Sequence, residues 1–431
     1  MKDTVILALL WEKHTPLLLH YLSGVTPRHL VFLNHIGADT LARMHTLGHK
    51  TTVLKGNIVP RHEQQRIHNS CINMRTQLRA AFASPVWRTF CDTQGIPSDS
   101  TSATITQTLI TDRLSIAASI IQAFEAINRR HFIELMVLSE DVTYAARCSI
   151  VWGRKNQIPS LHIQHGYTVG LASVHRNIFA DYMTVFGIQG VNNFSHVDPA
   201  RIYVVGHHDW EVYRQLCANQ ASIRAQILQK YALQPDIPVI LFATTTAGKL
   251  SAFYAQNIHQ QTLKAMFLAK QYLLAQNIPI QLVIKERFSN IVHEQEAHIC
   301  AQVAHTCGFS ALDYTYTTTD VEALIVSADV LVSSDSSVNV EAMHAGTPAI
   351  NLITHFSFQR YALLHVEDGV MDICDNDAQA LAQQIQAVLT NQDYRSRIVA
   401  KMRAHVTRYN LTAHSGHATD NVARVITSLC R

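Results

Sequence analysis

One segment of the chain combines the features that bind a phosphate group. An apolar run, Val330 to Val332, leads into a turn with four hydroxyl side chains, those of Ser333, Ser334, Ser336 and Ser337. A helix is predicted from about Ser337 to His344, and Gly346 ends it. An anion at the start of this helix would meet free backbone N–H groups, the positive end of the helix dipole and the serine hydroxyls. An ordinary serine-capped helix accounts for the same pattern, so the segment alone leaves both interpretations open.

Glu341 lies on the same predicted helix, four residues after Ser337. A capping box needs its acidic residue three positions after the capping serine, so this pair does not form one. We therefore expect the Glu341 carboxylate to accept hydrogen bonds from another partner, and ribose hydroxyls are well suited to that role.

A second hydroxyl-rich turn follows the apolar segment Val239 to Phe242. Its polar side chains are Thr244, Thr245, Thr246 and Lys249. Three hydroxyls and a lysine before a predicted helix suit a pyrophosphate, although the spacing of a P-loop is absent. A simple polar turn with a threonine cap is the alternative interpretation.

Two cations follow the apolar segment Ile280 to Ile284. Lys285 and Arg287 flank Glu286 at this point. Cations in such a position can neutralise the charge that develops on a departing nucleotide phosphate. An internal salt bridge through Glu286 accounts for them equally well.

The first half of the chain carries carboxylates and a histidine in comparable positions. Glu140 and Asp141 follow the apolar segment Leu135 to Leu138, and His165 precedes Gly166 after another predicted strand. Such side chains serve as general acids and bases, and histidine also binds phosphate. An Asp near a helix start is also a common N-cap, and a histidine at a strand end is also a common structural residue.

All of these polar clusters directly follow predicted strands. In the first part of the chain, short apolar runs alternate with helical segments at 5–10, 29–33, 51–54, 133–138, 160–163, 182–186 and 202–205. A second alternating series has its apolar runs at 239–242, 280–284, 311–314, 330–332 and 349–352. Alternation of this kind predicts parallel sheets covered by helices on both faces. Ligands of such sheets bind at the carboxyl ends of the strands, so we expect the clusters to share one cleft.

The pattern therefore predicts an α/β protein with two facing, doubly wound, Rossmann-like domains. The first domain covers residues 1–206 and contains a helical insertion at about 61–130, where the strand signal vanishes. A hinge at 207–225 leads to the second domain at 226–410. Residues 411–431 form a terminal helix that can cross back to the first domain.

Composition excludes several functional classes. The 431 residues include 35 Lys plus Arg against 32 Asp plus Glu, without a dense basic run, so no nucleic-acid partner is expected. A weak attraction to anionic surfaces, such as the inner face of a membrane, is compatible with this balance. The first apolar run is too short for a membrane span or a signal peptide, so we expect a cytosolic protein.

The cysteine and histidine patterns predict neither disulfides nor a metal site. The eight cysteines contain no C-x-x-C pair and several lie in apolar helical segments, which indicates reduced thiols. The 25 histidines do not form H-E-x-x-H, and their close pairs make no complete ligand set.

Several short motifs indicate a family relationship through the order in which they occur along the chain, more than any one of them does by itself. They lie at 141–146, 158–166, 180–187, 201–206, 333–342 and 346–348. In this order, over roughly Glu134 to Leu352, the chain resembles the GT-B glycosyltransferases of bacterial surface and capsular polysaccharide (capsule and O-antigen) biosynthesis. It is also similar to Kdo-transferases, CDP-glycerol phosphotransferases and UDP-GlcNAc 2-epimerases. Capsule enzymes that use CMP-sugars often have His-Pro where this chain has Lys285 to Phe288, so the resemblance does not imply a CMP donor.

The resemblance implies a role for each matching residue. The second domain would hold the nucleotide, with its phosphates on Ser334, Ser336 and Ser337 and its ribose on Glu341. The first domain would supply the acceptor site and the catalytic candidates Asp141, His165 and Glu140. His165 would face the donor phosphate or sugar, and Asp141 would act as general base or as nucleophile.

We therefore expect a glycosyltransferase that moves a sugar from a nucleotide-sugar donor to a saccharide or lipid-linked acceptor, without a cofactor or metal. Lys249, Lys285 and Arg287 would neutralise the leaving group. The expected location is the cytoplasm, including the inner face of the cytoplasmic membrane. Two alternatives stay open: a sugar-nucleotide 2-epimerase, which needs the same pocket but no acceptor, and a non-catalytic nucleotide-sugar-binding scaffold.

Overall fold

The computed structural model describes residues 3–10, 14–25, 28–32, 36–53, 61–93, 95, 97, 100–164, 178–194, 197–244, 252–286, 293–334, 336–353, 369–410 and 417–430. This part of the chain forms two parallel sheets with helices packed against them. The α/β architecture predicted from the alternating pattern is confirmed, and the two sheets define two Rossmann-like domains.

The first sheet has seven parallel strands: β1 (Asp3–Leu9), β2 (His29–Phe32), β3 (Lys50–Val53), β4 (His131–Leu138), β5 (Ser160–Ile163), β6 (Tyr182–Val185) and β7 (Ile202–Val204). Their order across the sheet is β3-β2-β1-β4-β5-β6-β7. All residues of β5 are buried, because helices cover both faces of a parallel sheet.

The helices of this domain are α1 (Thr15–Ser23), α2 (Ala38–Thr46), α3 (Arg61–Phe82), α4 (Pro85–Thr93), α5 (Thr101–Arg130), α6 (Tyr144–Lys155) and α7 (Ile188–Asn193), with a 3-10 turn at Pro199–Arg201. The helical insertion predicted at about 61–130 is confirmed, since α3, α4 and α5 occupy it. The Ser100 side chain caps α5 by accepting a hydrogen bond from the Ala103 N–H at 3.2 Å.

The second sheet has six parallel strands: β8 (Val239–Ala243), β9 (Gln281–Lys285), β10 (Tyr314–Thr317), β11 (Val330–Ser333), β12 (Ala349–Ile353) and β13 (Asp372–Asp375). Their order is β10-β9-β8-β11-β12-β13. The helices of this half are α8 (Val212–Ala218), α9 (Gln220–Lys230), α10 (Ala252–Ala275), α11 (His293–Thr306), α12 (Val321–Ser327), α13 (Val338–Ala345), α14 (Ala378–Thr390), α15 (Gln392–His405) and α16 (Ala418–Leu429), with 3-10 turns at His208–Glu211 and Val406–Arg408.

One predicted strand was wrong in position. The segment 311–314 was expected to be a strand, but β10 begins only at Tyr314. The Asp313 carboxylate accepts hydrogen bonds from the N–H and the hydroxyl of Ser310, both at 2.7 Å, and these close a turn before the strand. The short strand β13 was not predicted, because Asp372 and Asp375 flank only two apolar residues.

Each sheet has a topological switch point, where the chain changes the side of the sheet to which it adds strands. In the first sheet β1 lies between β2 and β4, so the switch point lies between β1 and β4. In the second sheet β8 lies between β9 and β11, and the switch point lies between β8 and β11. A crevice opens outside the carboxyl ends of the strands at such a point, and ligands of open parallel sheets bind there.

The C-terminal helix α16 packs against the first domain. Its apolar side chains Val422, Val425 and Ile426 belong to the same buried cluster as Leu18 and Ile6. The His20 ring also lies 2.5 Å from the Asp420 carboxylate. The chain therefore returns from the second sheet to the first. The predicted domain boundaries stay predictions.

The two sheets are also joined where β6 ends. A Cβ atom on Gly187 would lie 2.5 Å from the Arg408 carbonyl oxygen and 2.8 Å from the Asn410 backbone nitrogen. Only a residue without a side chain permits this approach of two backbone segments. Among the described helices, none combines the length and apolar character that crossing a bilayer requires.

Candidate functional site

The carboxyl edge of the second sheet brings several predicted ligand residues together. The register pairs Ala243 of β8 with Lys285 of β9 and with Ser333 of β11, so the residues that follow these strands meet at one edge. The Thr244 N–H donates a 3.0 Å hydrogen bond to the Lys285 carbonyl. The positions of Thr244, Lys285 and Ser334 thus agree with a shared site at the β8/β11 switch point.

Thr244 has an unusual hydroxyl group. The residue is 7% exposed, and its Oγ1 atom has no hydrogen-bond partner among the described residues. A buried hydroxyl without a partner costs stability, and such groups usually have a functional explanation. A ligand oxygen at this edge of the sheet would supply the missing hydrogen bond.

The serine turn divides into a buried and an accessible part. The fully buried Ser333 hydroxyl donates to Asn339 Oδ1 at 2.7 Å, and Asn339 Nδ2 donates to Asn351 Oδ1 at 3.0 Å. Ser333 thus fixes β11 to the start of α13 and is not one of the anion donors, which corrects the expectation of four hydroxyls. Ser336 and Ser337 are more exposed, and Ser336 Oγ accepts a 3.4 Å hydrogen bond from the Val338 N–H.

The expectation of free N–H groups at the start of α13 also needs correction. The N–H groups of Asn339 and Val340 donate to the carbonyls of Ser336 and Ser337 at 3.1 and 2.9 Å. The helix therefore begins with tight 3-10-type bonds, which satisfy these donors within the turn. The C-terminal end agrees with the prediction, because Gly346 adopts the left-handed conformation with φ of 72°.

Glu341 on α13 is hydrogen-bonded within the protein. Its Oε2 atom accepts a 2.8 Å hydrogen bond from the Tyr213 hydroxyl, and its Oε1 atom lies 3.5 Å from Ser337 Oγ. Burial raises the pKa of the Glu341 carboxyl, while the Tyr213 hydrogen bond acts in the opposite direction. From the sequence we expected the Glu341 carboxylate to be available to a ribose. In the fold, one of its two oxygens accepts a hydrogen bond from Tyr213.

At the switch point of the first sheet, His14 lies beside Ser139. His14 Nδ1 and Ser139 Oγ are 2.7 Å apart, and both residues are buried. His14 directly precedes α1, and Ser139 directly follows β4, where its N–H donates to the Leu9 carbonyl at 3.0 Å. The first domain thus has a polar pair at the β1/β4 crevice.

The catalytic candidates Glu140 and Asp141 follow Ser139 at the same edge. Asp141 is buried, and its Oδ2 atom accepts hydrogen bonds from the N–H groups of Phe179 and Ala180 at 2.7 and 3.3 Å. Its Oδ1 atom lies 3.5 Å from His162 Nδ1. Asp141 therefore holds the chain before β6, whereas Thr143 is the residue that caps α6. Glu140 is half-buried at this edge.

A series of aromatic side chains links the two domains through the start of the predicted hinge. The His207 ring stacks on Trp210 with centroids 4.0 Å apart, and Trp210 lies 5.3 Å from the His344 ring on α13. His208 continues the series toward the first domain, 6.1 Å from the His14 ring. The polar clusters of the two sheets are therefore connected by packed side chains.

The backbone at the start of the predicted hinge is also hydrogen-bonded. The His207 N–H donates a 2.9 Å hydrogen bond to Asn410 Oδ1, and Asn410 Nδ2 lies 3.5 Å from His344 Nε2. His208 Nε2 lies 2.9 Å from the Asp209 carboxylate. The predicted hinge at 207–225 thus begins with a hydrogen-bonded segment that contacts both sheets.

Five predicted site residues lie outside the described residues: His165, Thr245, Thr246, Lys249 and Arg287. Their roles stay predictions. Tyr213 was missed because it lies in no recognisable motif. His14 lies after the first strand, and residues in that position of a Rossmann-like unit meet its switch point.

Taken together, the arrangement offers hydrogen-bond donors at one sheet edge and carboxylates at the other. Thr244, Ser336 and Ser337 can donate hydrogen bonds to an anion. The half-buried Lys285 is the last residue of β9 and lies at the same edge. Glu140 and the His14–Ser139 pair can exchange or orient protons at the edge of the first sheet.

Comparisons with known proteins agree on the fold. No protein-family model matches the chain, and no curated protein matches it in sequence. Among solved structures, a glycosyltransferase from Rickettsia africae is 11% identical, with a TM-score of 0.55, 99% of this chain covered and 98% of that chain covered.

Two further structures with the same fold were solved with nucleotide ligands. The UDP-GlcNAc 2-epimerase from Neisseria meningitidis, bound to UDP-GlcNAc, is 12% identical, with a TM-score of 0.55 and coverage of 99% of this chain and 98% of that chain. The Anabaena protein HepE, in complex with UDP and glucose, is 12% identical, with a TM-score of 0.54 and coverage of 100% and 99%. The chain therefore has the same GT-B fold as these three proteins.

Proposed function

We propose that this protein is a glycosyltransferase that moves a sugar from a nucleotide-sugar donor to a saccharide or lipid-linked acceptor in bacterial surface polysaccharide assembly. The observation that carries the proposal is the position of the polar clusters. Each sheet of the GT-B fold has its hydrogen-bonding side chains at its own switch point, where open parallel sheets bind ligands.

The second sheet is the proposed donor site. The unpartnered Thr244 hydroxyl and the hydroxyls of Ser336 and Ser337 lie where the fold exposes strand ends and a helix start. Nucleotide phosphates take such donors, and Lys285 would neutralise the charge of the leaving group with the predicted cations Lys249 and Arg287. In this proposal no metal is needed at the phosphates.

The first sheet is the proposed acceptor site. Of the two described carboxylates that follow β4, Glu140 is the one whose side chain is not fully buried, whereas both oxygens of Asp141 face groups of the protein. A general base needs access to the acceptor hydroxyl, so Glu140 fits that role better than the sequence suggested. Asp141 and His165 remain candidates.

Two measurements test the proposal. Calorimetric titration with CMP, CDP, UDP and GDP would identify the nucleotide. UDP is the first choice because one similar structure contains UDP and another contains UDP-GlcNAc. Incubation of the matching nucleotide-sugar with and without a saccharide or lipid-linked acceptor would then show acceptor-dependent release of nucleotide. Binding of free sugars or nucleic acid alone would contradict the proposal.

An epimerase is the second candidate, because the same fold occurs in UDP-GlcNAc 2-epimerases. Such an enzyme would use the same donor site without an acceptor. Donor alone would then yield an epimer or free nucleotide at the full rate, and adding an acceptor would change nothing.

A further inference from the structure

A second polar cluster lies inside the second domain, behind the carboxyl end of β9. It consists of His259 on α10, Glu286 directly after β9 and Glu296 on α11. His259 and Glu286 are 3% and 1% exposed, and the side chain of Glu296 is 16% exposed. Two carboxylates and an imidazole are thus removed from bulk water, which is costly unless their charge is balanced.

The three side chains converge on one point. His259 Nε2 lies 2.9 Å from Glu296 Oε2 and 3.6 Å from Glu286 Oε2, and the three atoms all lie within 4.8 Å of one another. Ligand atoms around a tetrahedral zinc ion lie about 3.3 Å apart when the metal bonds are about 2.0 to 2.1 Å long. The observed separations bracket this value, so small movements would accommodate an ion.

The hydrogen bonding favours a central ion over a simple ion pair. His259 Nε2 and Glu296 Oε2 are close enough for a hydrogen bond, yet among the described residues neither atom makes one with acceptable geometry. Both nitrogen atoms of the buried His259 ring lack a hydrogen-bond partner in this part of the chain. The two side chains are thus near each other without being directed at each other.

The titratable neighbours on which Glu286 acts include Tyr316 and Cys300. Burial raises the pKa of the Cys300 thiol to about 12, with the Glu286 charge contributing, and burial likewise raises the pKa of the Tyr316 phenol. Both groups are therefore neutral at physiological pH, and Cys300 is not a thiolate ligand.

We propose that His259, Glu286 and Glu296 bind a structural divalent cation. One imidazole and two carboxylates suit a first-row ion such as Zn²⁺ or Mn²⁺. Because its ligands come from α10, β9 and α11, the ion would fix the end of β9, which carries Lys285. The site is buried, and none of its three ligands is a residue that we assign to the nucleotide.

The test measures metal in the full-length protein, purified without immobilised-metal chromatography and stripped with EDTA. After dialysis against ZnCl₂ or MnCl₂ alone, elemental analysis should find about one ion per chain, as three converging ligands imply. The ion should also raise the melting temperature of the stripped protein. Neither measurement uses a nucleotide, so its outcome is independent of the proposed transferase activity.

Conservative variants separate this site from surface histidines. His259→Asn and Glu296→Gln should each weaken binding of the ion by at least about tenfold and abolish the rise in melting temperature. His298→Ala removes an exposed histidine from the same helix, α11, and should leave both readouts unchanged. The proposal is overturned if the wild-type protein binds no stoichiometric ion, or if both variants bind it as tightly as the wild type.

Discussion

The Tyr213 hydroxyl donates a 2.8 Å hydrogen bond to Glu341, which joins α8, within the predicted hinge, to α13, just after the serine turn. Tyr213 is almost fully buried and belongs to the same apolar cluster as Trp210 and the strand β11. The bond therefore links the orientation of the hinge to the helix on which we expect the nucleotide to lie.

Removing this hydrogen bond should weaken the second domain. Tyr213→Phe keeps the ring but leaves one Glu341 oxygen without its donor, so we expect a loss of about 1 to 2 kcal/mol in the free energy of unfolding. Urea denaturation followed by circular dichroism measures this loss. Tyr272→Phe, at an exposed position of α10, is the matched control and should have little effect. Equal stability of the two variants would show that the bond does not form in solution.

The raised pKa of Glu341 predicts a pH-dependent stability difference. Because burial raises this pKa in the folded protein above the ordinary value of 4.5, folding favours the protonated carboxyl. The stability that protonated Glu341 contributes is thus fully present below pH 4.5. It is lost as the pH rises through the pKa of Glu341 in the folded protein. Glu341→Gln cannot ionise, so its stability relative to the wild type should increase between acidic and neutral pH. A constant difference across this range would contradict the prediction.

Two substitutions of Asp141 separate a structural role from a catalytic one. Asp141→Ala leaves the N–H groups of Phe179 and Ala180 without an acceptor, and we expect a loss of about 2 to 3 kcal/mol in stability. Asp141→Asn keeps an acceptor oxygen and should retain most of the stability. If Asp141 is the general base, the Asn variant stays folded but loses sugar transfer.

A folded and fully active Asp141→Asn variant would remove Asp141 from the catalytic candidates. Glu140→Gln is then the decisive comparison, because Glu140 is half-buried beside it. Loss of transfer with retained nucleotide binding in this variant would assign the base to Glu140. If neither variant affects transfer, neither carboxylate is the base, and His165 becomes the leading candidate.

Thr244→Val tests the donor site. The substitution removes a buried hydroxyl that has no partner among the described residues, so it should not reduce the stability of the free protein. It should weaken nucleotide binding by about tenfold, since a hydrogen bond to a charged group is worth about 1.5 kcal/mol or more. Calorimetry with the nucleotide measures the change.

Thr347→Val is the matched control for this experiment. The Thr347 hydroxyl is buried as well, but it donates a 2.7 Å hydrogen bond to the Ile325 carbonyl. Its loss should lower stability and leave nucleotide binding unchanged. Unaltered binding in Thr244→Val would place the phosphates away from the β8 edge.

Much of the fold could be predicted from local patterns. The strand Ser160–Ile163 was predicted at its observed bounds, because Pro159 precedes it and the polar Gln164 follows it. All four of its residues are buried, including the polar Ser160 and His162. The end of α13 was predicted for a similar reason, since Gly346 supplies the left-handed conformation that stops a helix. The strand β10 begins later than predicted because the Ser310 hydroxyl donates a hydrogen bond to Asp313 and closes a turn before it. A pattern of apolar residues does not reveal such a turn.

The sequence by itself determined which residues follow strands, and therefore that Glu140, Thr244, Lys285 and Ser334 lie at the carboxyl edges of two sheets. Only the tertiary structure decided which of their polar groups are already bonded within the protein. Ser333 is bonded to Asn339, Asp141 to the backbone before β6, and Glu341 to Tyr213. These partners lie up to 128 positions apart in the chain. Strand patterns arise from neighbouring residues, whereas hydrogen bonds between distant segments depend on how the sheets and helices pack.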